Sequence, residues 1–194
     1  MPSAPHIAHP DAEPKIFYEG GDPTPFKEHK APFLSDEVYE QAIRGLQVVC
    51  VDVVLIDVDT QTFLLPIRII NAAKGPWLFG GRQRPWETPR EAIHRCFQGE
   101  TEVDLPSNAL SFVTICSSMW HLRELEPQEA GQHDVIFVYA TSFSETELEK
   151  VKQGLSDEEY DMDACIQIFN RDRLIAECKH RPQLLYYYEK IFGS

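Results

Sequence analysis

The residues best suited to chemistry lie between Gly75 and Val103, in the segment GPWLFGGRQRPWETPREAIHRCFQGETEV. A glycine pair is followed by arginines, and carboxylates follow at Glu87 and Glu100. Carboxylate oxygens are the ligands that Mg²⁺ prefers, and guanidinium groups bind phosphate oxygens through paired N–H donors. The segment therefore favours a site for a divalent cation and a phosphorylated ligand.

The second half of this segment, TPREAIHRCFQGE, is predicted to form a helix that presents one of these carboxylates. Thr88 can cap the helix, Pro89 fits its first turn, and a glutamate three positions after the cap completes a capping box. Cys96 and Glu100 are four residues apart, so they lie one turn apart on the same helical face. Since a thiol is a poor ligand for Mg²⁺, Glu100 is the candidate metal ligand on that face.

The segment resembles the Nudix box, G-x5-E-x7-R-E-U-x-E-E-x-G-U, in which U is a bulky apolar residue. Six residues fit the box at the required spacings, namely Gly81, Glu87, Arg95, Phe97, Glu100 and Val103. Three positions depart from it, because Cys96 and Gly99 replace glutamates and Glu102 replaces the closing glycine. The resemblance implies an α/β protein with the Nudix α/β/α sandwich, a mixed central β-sheet and the box helix lining the pocket.

The departures from the box bear on the number of metal ions. In a standard Nudix site, clustered carboxylates on one helical face hold two or three ions, and two of those carboxylates are replaced here by Cys96 and Gly99. The resemblance then implies a single Mg²⁺ ion, with Mn²⁺ as an alternative. Its expected ligands are Glu100, a backbone carbonyl at Gly80, a substrate phosphate and water.

The same replacements resemble one branch of the family, the GDP-mannose mannosyl hydrolases. The similarity begins near Phe33 and reaches Leu105 without an obvious gap, and it becomes looser beyond that point. In this branch water attacks the anomeric carbon of the sugar and a nucleoside diphosphate leaves, whereas most Nudix enzymes attack phosphorus. The resemblance places functional positions at Asp52, Arg68, Trp77, Arg82, Arg95 and Glu100.

By this resemblance, Arg68 and Arg82 are expected to bind the diphosphate and neutralise it as it departs. Asp52 is expected to pair with one of these arginines, because a carboxylate inside an apolar strand needs a partner. Arg95 is expected to hold Glu87 or Glu100. Structural alternatives remain open for Arg68, as a strand residue that extends to solvent, and for Arg95, as half of a surface ion pair.

Two tryptophans flank the glycine pair and are candidate substrate-binding residues. Trp77 precedes the glycines and Trp86 follows them. Either indole could stack on a base or a sugar, and packing in the core is the alternative for both.

The general base is the position where this sequence departs most from the branch. The related enzymes use a histidine in a loop before a late strand, beside a glutamine that binds the metal. The corresponding loop here, residues 155–169, contains no histidine, and Glu159 and Tyr160 lie nearest to those two positions. Glu159 is expected to ligate the metal, and Tyr160 occupies the catalytic place although a tyrosine pKa of about 10 makes it a poor base at neutral pH. Alternative bases are Glu158, Asp161 and His121.

Two strands are expected to position Asp52 and Arg68. Residues 47–58 are β-branched and almost entirely apolar, which is typical of a buried strand, and residues 61–70 form a second such run. The polar residues between the two runs predict a turn, so the pair is expected to form a hairpin.

The remaining elements complete an α/β domain at residues 34–194, preceded by an extended N-terminal arm at residues 1–33. The arm is rich in proline, glycine and charge, and it could either cover the pocket or swap across a dimer. The patterns further predict helices at 35–46, 144–155 and 181–193, and strands at 78–79, 110–120, 134–143 and 164–169.

The bulk composition limits the classes of partner. The net charge is −13, whereas nucleic-acid binding needs a cationic surface, and an acidic surface also repels anionic membranes. A polyanionic ligand would need a local group of arginines. No apolar run is long enough for a membrane span, and five scattered cysteines favour a reducing compartment, so a cytoplasmic location is expected.

Three hypotheses for function follow. The first is Mg²⁺-dependent hydrolysis of a nucleoside diphosphate sugar at the anomeric carbon, by a protein that the resemblance implies is a homodimer. The second is attack at phosphorus in another organic diphosphate, such as a prenyl diphosphate or ADP-ribose. The third is a Nudix-derived binding module without catalytic activity, which the missing carboxylates and histidine motivate.

Overall fold

The protein is represented by a computed structural model that describes residues 7–8, 11–18, 23–27, 29, 34–70, 72–105, 109–123 and 126–193. Its helices are α1 (Thr24–Lys27), α2 (Asp36–Gly45), α3 (Pro89–Thr101), α4 (Glu145–Gln153), α5 (Arg171–Glu177) and α6 (Pro182–Phe192). Its strands are β1 (Val48–Asp57), β2 (Thr62–Arg68), β3 (Gly75–Pro76), β4 (Phe79–Arg82), β5 (Ser111–Trp120), β6 (Gln132–Thr141) and β7 (Ile166–Phe169).

Strand β1 is the centre of a mixed sheet. It pairs in parallel with β6 from Val48 to Leu55, while its other edge is antiparallel first to β4 and then to β2. Strand β5 borders β6, and β2 is flanked by β7 and β3. The mixed α/β fold expected from the sequence is therefore confirmed, although the predicted β1–β2 hairpin pairs only at Leu55–Asp57.

Strand alternation divides the core into two layers, one on each face of the sheet. Cys50, Val54 and Ile56 face the layer that contains α5 and α6. Val51, Val53 and Leu55 face the layer that contains α3 and α4. The two faces of β1 are thus both buried, which explains why its sequence is apolar throughout.

Helix α3 begins where the sequence predicted. Thr88 accepts a hydrogen bond from the backbone N–H of Glu91, and the Glu91 carboxylate accepts one from the backbone N–H of Thr88. Ala92, Ile93, Cys96 and Phe97 bury one side of the helix against β1 and β4.

Helix α5 was not predicted from the sequence. It is a short helix that begins after Asn170, whose side-chain oxygen accepts a hydrogen bond of 2.9 Å from the backbone N–H of Arg173. Helix α6 was predicted, and it buries Leu184, Tyr187, Tyr188 and Ile191. Within the part of the chain that the structure describes, no helix combines the length and apolar character needed to cross a bilayer.

Part of the N-terminal arm contacts the α/β body through Ile7, Ala8, Asp11 and Glu13. Ile7 is buried in the α6 layer, and the backbone N–H of Ala8 donates to the carbonyl of Ile191. Asp11 forms an ion pair with Lys190, and Glu13 accepts two hydrogen bonds from the guanidinium of Arg90. The arm therefore lies along its own chain and reaches the first turn of α3.

Candidate functional site

The candidate site lies where β1 changes partner. Val53 pairs with Phe79 of β4, whereas Leu55 pairs with Leu64 of β2. Beyond Leu64, strand β2 leaves β1 and pairs with β3 at Ile67 and Arg68, while its pairing with β7 runs from Phe63 to Pro66. We call this gap between β1 and the end of β2 the sheet split. Asp52 lies on its β1 side and Arg68 on its β2 side.

Glu100, at the end of α3, turns its carboxylate into the sheet split. Its Oε2 accepts a hydrogen bond of 3.1 Å from the backbone N–H of Gly80 in β4. Burial raises the pKa of Glu100 to about 8, and the nearby Glu159 carboxylate adds to this effect, while Arg68 opposes it. The expected metal ligand is therefore a desolvated carboxylate held at the edge of a strand.

Arg68 joins the loop after α4 to the sheet split. Its Nη2 donates to Oε2 of Glu159 at 3.1 Å, and its guanidinium lies 5.9 Å from the ring centre of Tyr160. Burial opposes the charged form, but Tyr160, Glu100, Glu159 and Asp52 together raise its pKa above the ordinary value. The Nε atom of Arg68 is buried and has no hydrogen-bond partner among the described residues.

Tyr160 is held by the backbone of β2. It forms a β-bridge with Arg68, and the neighbouring N–H of Asp161 donates to the carbonyl of Ile67 at 2.8 Å. Its side chain is only 1% exposed, and burial followed by the charge of Glu100 raises its pKa far above the ordinary range. The hydroxyl therefore stays protonated at neutral pH, which rules it out as a base and leaves it as a hydrogen-bond donor. Within the described residues this hydroxyl makes no hydrogen bond of normal geometry.

Asp52 does not form the ion pair that the sequence predicted, as far as the described residues show. Its side chain is 6% exposed and its Oδ2 has no partner among them. Burial raises its pKa to about 7, and the charge of Arg68 is the strongest opposing influence. Strand alternation explains the difference. Asp52 lies on the same face of β1 as Cys50 and Val54, which is the α6 side, whereas Arg68 lies on the same face of β2 as Leu64, which is the α3 side.

Arg82 and Arg95 lie at the glycine-rich end of β4. The guanidinium of Arg82 stacks on the ring of Tyr39 in α2, 3.9 Å from its centre. Arg95 binds both carboxylate oxygens of Glu87, at 2.6 and 2.8 Å, and also donates to the carbonyl of Arg82 at 2.8 Å. Of the two partners expected for Arg95, the structure places it on Glu87, where it fixes the loop that follows β4.

The two tryptophans have different environments. Trp77 is buried in the α6 layer, with its ring edge-on to Trp120 at 5.0 Å, so it faces the core. Trp86 is largely exposed and stacks on His29 of the arm at 4.4 Å.

The alternative bases lie outside the group of residues at the sheet split. Glu158 and His121 are exposed. Asp161 accepts hydrogen bonds from the backbone N–H groups of Asp163 and Ala164, which closes a turn.

The chain's own side chains offer a divalent ion two carboxylates at the sheet split, Glu100 and Glu159. The negative charge of Glu159 raises the pKa of Glu100. A cation bound between the two carboxylates would offset this repulsion and favour the charged form of Glu100. Across the residues described, no group of three or more His, Cys, Asp or Glu side chains could hold a metal ion. Cys96 packs against Gly81, and burial raises its pKa to about 11, so its thiol adds no ligand. The other ligands of such an ion would have to come from backbone, substrate and water.

One buried charged residue beside β3 was missed from the sequence. Arg181 precedes α6 and is 6% exposed, and it donates to the carbonyls of Lys74 and Pro76 and to Nε2 of His180. Its guanidinium lies 5.4 Å from the ring centre of Trp77. An arginine before a helix-starting proline has no signature in the sequence that would distinguish it from a surface residue.

Comparison with solved structures gives the fold a context. No protein-family model matches the sequence, and the search of the curated proteins found no match. DR0079 from Deinococcus radiodurans aligns over 76% of this chain and 86% of its own, with 14% identity and a TM-score of 0.51. A NUDIX hydrolase from Nitrosomonas europaea aligns over 76% of this chain and 93% of its own, with 18% identity and a TM-score of 0.49. A MutT NUDIX hydrolase from Burkholderia pseudomallei aligns over 66% of this chain and 85% of its own, with 17% identity and a TM-score of 0.44. The chain therefore shares the mixed α/β fold of DR0079.

Proposed function

We propose that this protein is a divalent-cation-dependent hydrolase of a small organic diphosphate and that the reaction takes place at the sheet split. The observation that carries this proposal is the convergence of Arg68, Glu100, Glu159 and Tyr160 from three separate parts of the chain. One buried polar atom of this group, Nε of Arg68, has no partner among the described residues, while the Tyr160 hydroxyl lies beside the Glu100 carboxylate. The Nε atom is a donor, and a phosphate oxygen is an acceptor of the kind that would satisfy it.

Each side chain has a role in this proposal. Arg68 donates to the diphosphate, and Tyr160 donates its hydroxyl proton as a neutral hydrogen bond. Glu100 and Glu159 would hold one Mg²⁺ ion, with Mn²⁺ as an alternative. When bound, such an ion neutralises phosphate oxygens and stabilises negative charge on the leaving group. Arg95 acts through Glu87 by fixing the loop after β4.

Glu159 is also the best candidate to accept a proton from the attacking water. Its side chain is 39% exposed, so water reaches it, and its ion pair with Arg68 fixes its position. Attack at phosphorus breaks a P–O bond of the diphosphate and leaves two phosphorylated products. Attack at an anomeric carbon breaks the C–O bond and releases a free sugar and a nucleoside diphosphate.

Within this class, a nucleoside diphosphate sugar of the GDP-mannose type is the first substrate to test. The support is that Arg68 and Glu100 lie in one site with the Glu159 carboxylate. Arg68 and Glu100 are two of the positions at which the sequence resembles the GDP-mannose mannosyl hydrolases. A prenyl diphosphate and ADP-ribose are the alternatives. The homodimer and the cytoplasmic location stay predictions of the sequence.

Product analysis tests the proposal. The full chain is incubated with Mg²⁺ and GDP-mannose, GDP-glucose, ADP-ribose or geranyl diphosphate, and the products are separated by chromatography. Free sugar with GDP supports attack at carbon, and a nucleoside monophosphate or geranyl monophosphate supports attack at phosphorus. If no substrate is turned over while ligands still bind, the hydrolase proposal is wrong and the protein is a binding module.

A pair of adjacent variants tests the base. Glu159→Gln removes the proton acceptor together with one proposed ligand of the cation, and at saturating Mg²⁺ it is expected to lower kcat by about 10²–10⁴-fold. Glu158→Gln changes the exposed neighbour and should leave kcat within twofold. Equal rates for both variants would remove Glu159 from the reaction, and a loss with Glu158→Gln alone would transfer the role to that residue.

A further inference from the structure

Strand β5 lies at an edge of the sheet and lacks the features that usually protect an edge. Among the described strands it pairs with β6 alone. Edge strands offer backbone N–H and C=O groups to other strands, and proteins usually protect them with charged side chains, proline or bulges. Residues 110–120 contain no charged residue and no proline, in a chain in which 25% of the residues are charged. The register shift of β5 lies between Phe112 and Thr114, so it leaves the rest of the strand regular.

The N-terminal arm occupies one end of this edge. The backbone N–H of Asp11 donates to the carbonyl of Val113 at 3.3 Å, and the Asp11 carboxylate accepts a hydrogen bond of 2.7 Å from the hydroxyl of Thr114. In the part of the chain that the structure describes, residues 114–120 form no backbone hydrogen bond outside their pairing with β6. We call residues 114–120 the free edge.

The free edge also carries exposed apolar side chains. Ile115 is 44% exposed and Met119 is 78% exposed, and both lie on the same face of the strand as Ser117. Helix α6 covers the opposite face, where the Tyr187 hydroxyl lies 2.7 Å from Sγ of Cys116. Exposed apolar side chains beside unpaired backbone groups are typical of a surface that binds another strand.

The sequence of the free edge, TICSSMW, complements itself when two copies run antiparallel. A two-fold axis through Ser117 places Ile115 of each copy opposite Met119 of the other, and Ser117 opposite its own counterpart. Residues that face each other across antiparallel strands lie on the same side of the sheet, so Ile115 and Met119 would pack together there. An axis at Cys116 or Ser118 would instead place a serine opposite one of these two apolar residues.

The charge of the chain favours this contact over other surfaces for self-association. Two copies that each carry a net charge of −13 repel one another, so they can approach closely only where acidic side chains are missing. The free edge is such a place. A contact that uses the same edge in both copies also closes on itself, which gives a dimer and not a fibre.

We propose that the free edge is a dimer interface, in which β5 of two copies pairs antiparallel about Ser117 and joins two sheets into one. The inference goes beyond the proposed function and does not depend on it. In this dimer each arm stays on its own chain, where its contact with Val113 limits the interface at one end.

Sedimentation equilibrium of the full chain tests for the dimer. A monomer–dimer equilibrium is expected, and higher ionic strength should strengthen it, because salt screens the repulsion between two acidic copies. A chain that stays monomeric up to about 1 mM, or a dimer that dissociates when salt is added, would overturn the inference.

Two lysine variants locate the interface. Ser117→Lys places like charges on the axis and is expected to raise the Kd of the dimer by about 100-fold or more. The matched control is Val49→Lys in β1, which lies in the same row across the sheet, next to Val135, and is 40% exposed. Because Val49 lies two strands from the edge, its replacement should leave the Kd within about threefold. An unchanged Kd for Ser117→Lys, or equal losses in both variants, would refute pairing through the edge.

A mixing experiment tests the register. Ser117→Lys and Ser117→Glu should each be monomeric alone, and an equimolar mixture should form a heterodimer because opposite charges then meet on the axis. A mixture that stays monomeric would exclude an axis at Ser117. Hydrogen exchange of the unaltered chain covers the case in which the variants do not fold. Slower exchange of amides within residues 114–120 at high protein concentration is expected, and exchange that does not depend on concentration would contradict the proposal.

Discussion

The backbone N–H of Gly80 donates to the carboxylate of Glu100 at 3.1 Å, and this contact ties strand β4 to the last turn of helix α3. Gly80 is also the residue that pairs with Asp52 in β1. One glycine thus lies between two buried carboxylates that approach from opposite layers of the core. The position of the Glu100 carboxylate is set by the backbone of the sheet and not by the helix alone.

Replacing Glu100 by glutamine should separate metal binding from folding. The amide oxygen of Gln can still accept the Gly80 hydrogen bond, so the fold is expected to persist. Loss of the charged ligand should lower Mg²⁺ affinity and turnover by about 10²-fold or more, the scale for one preorganised electrostatic group. Calorimetric Mg²⁺ titration and steady-state kinetics measure the two effects. Glu102→Gln, on the exposed end of the same helix, is the matched control, and equal behaviour of the two variants would refute the metal assignment.

Gly80 and Gly99 should respond in opposite directions to alanine. At Gly80 φ is +153°, and a Cβ would overlap the Val51 carbonyl and the Asp52 side chain. Gly80→Ala should therefore lower the free energy of unfolding by about 2–4 kcal/mol or prevent folding. A Cβ at Gly99 in α3 meets nothing within 4 Å, so Gly99→Ala should raise the free energy of unfolding by about 0.5–1 kcal/mol. Urea denaturation measures the free energy of unfolding of both variants. A change in the same direction for Gly80→Ala and Gly99→Ala would contradict the backbone of β4 described above.

The Glu87–Arg95 pair should give the protein a defined response to acid. Burial raises the pKa of Glu87, but the hydrogen bonds from Arg95 and from the Arg84 backbone lower it below 4.5 overall. A carboxylate with a depressed pKa stabilises the folded state above its unfolded pKa, and this contribution is lost as pH falls through the folded value. The unfolding free energy should thus decline more steeply below about pH 4.5 in the unaltered protein than in Glu87→Gln. Parallel pH profiles from urea titrations would show that the pair contributes nothing.

Two isoleucines of the N-terminal arm should differ in their contribution to stability. Ile7 is 8% exposed in the α6 layer, and Ile7→Ala is expected to cost about 2–3 kcal/mol of unfolding free energy. Ile16 is 46% exposed, and Ile16→Ala should change the free energy of unfolding by less than about 0.5 kcal/mol. Thermal unfolding of both variants tests whether the arm is part of the folded unit. Equal melting temperatures for Ile7→Ala and the unaltered chain would mean that the arm docks without stabilising the core.

Local chemistry in the sequence accounts for the elements that were predicted well. The start of α3 depends on Thr88 and Pro89, which are adjacent, so the cap and the helical face of Glu100 could be derived before the fold was known. The continuous run of apolar and β-branched residues likewise identified β1 as a buried strand. The role of Asp52 could not be derived in this way, because its partner depends on which face of the sheet Arg68 occupies after β2 has left β1.

Arg181 illustrates the limit of sequence patterns more clearly. It lies more than a hundred residues after Lys74, and only the packing of α6 against the sheet brings its guanidinium to the carbonyls beside Gly75. Neither the charge nor the spacing of Arg181 predicts burial. A charged residue that the fold buries against backbone carbonyls is recognised only once the tertiary contacts are known.

The parallel pairing of β1 with β6 also has a consequence for the order of folding. Val48 pairs with Asp134, so the central strand gains its second neighbour only after the chain has been synthesised past β5. Until then β1 has an apolar edge without its final partner, and long-range strand pairing of this kind is slow. Nascent chains that end before β6 should therefore be the species most prone to aggregate during synthesis.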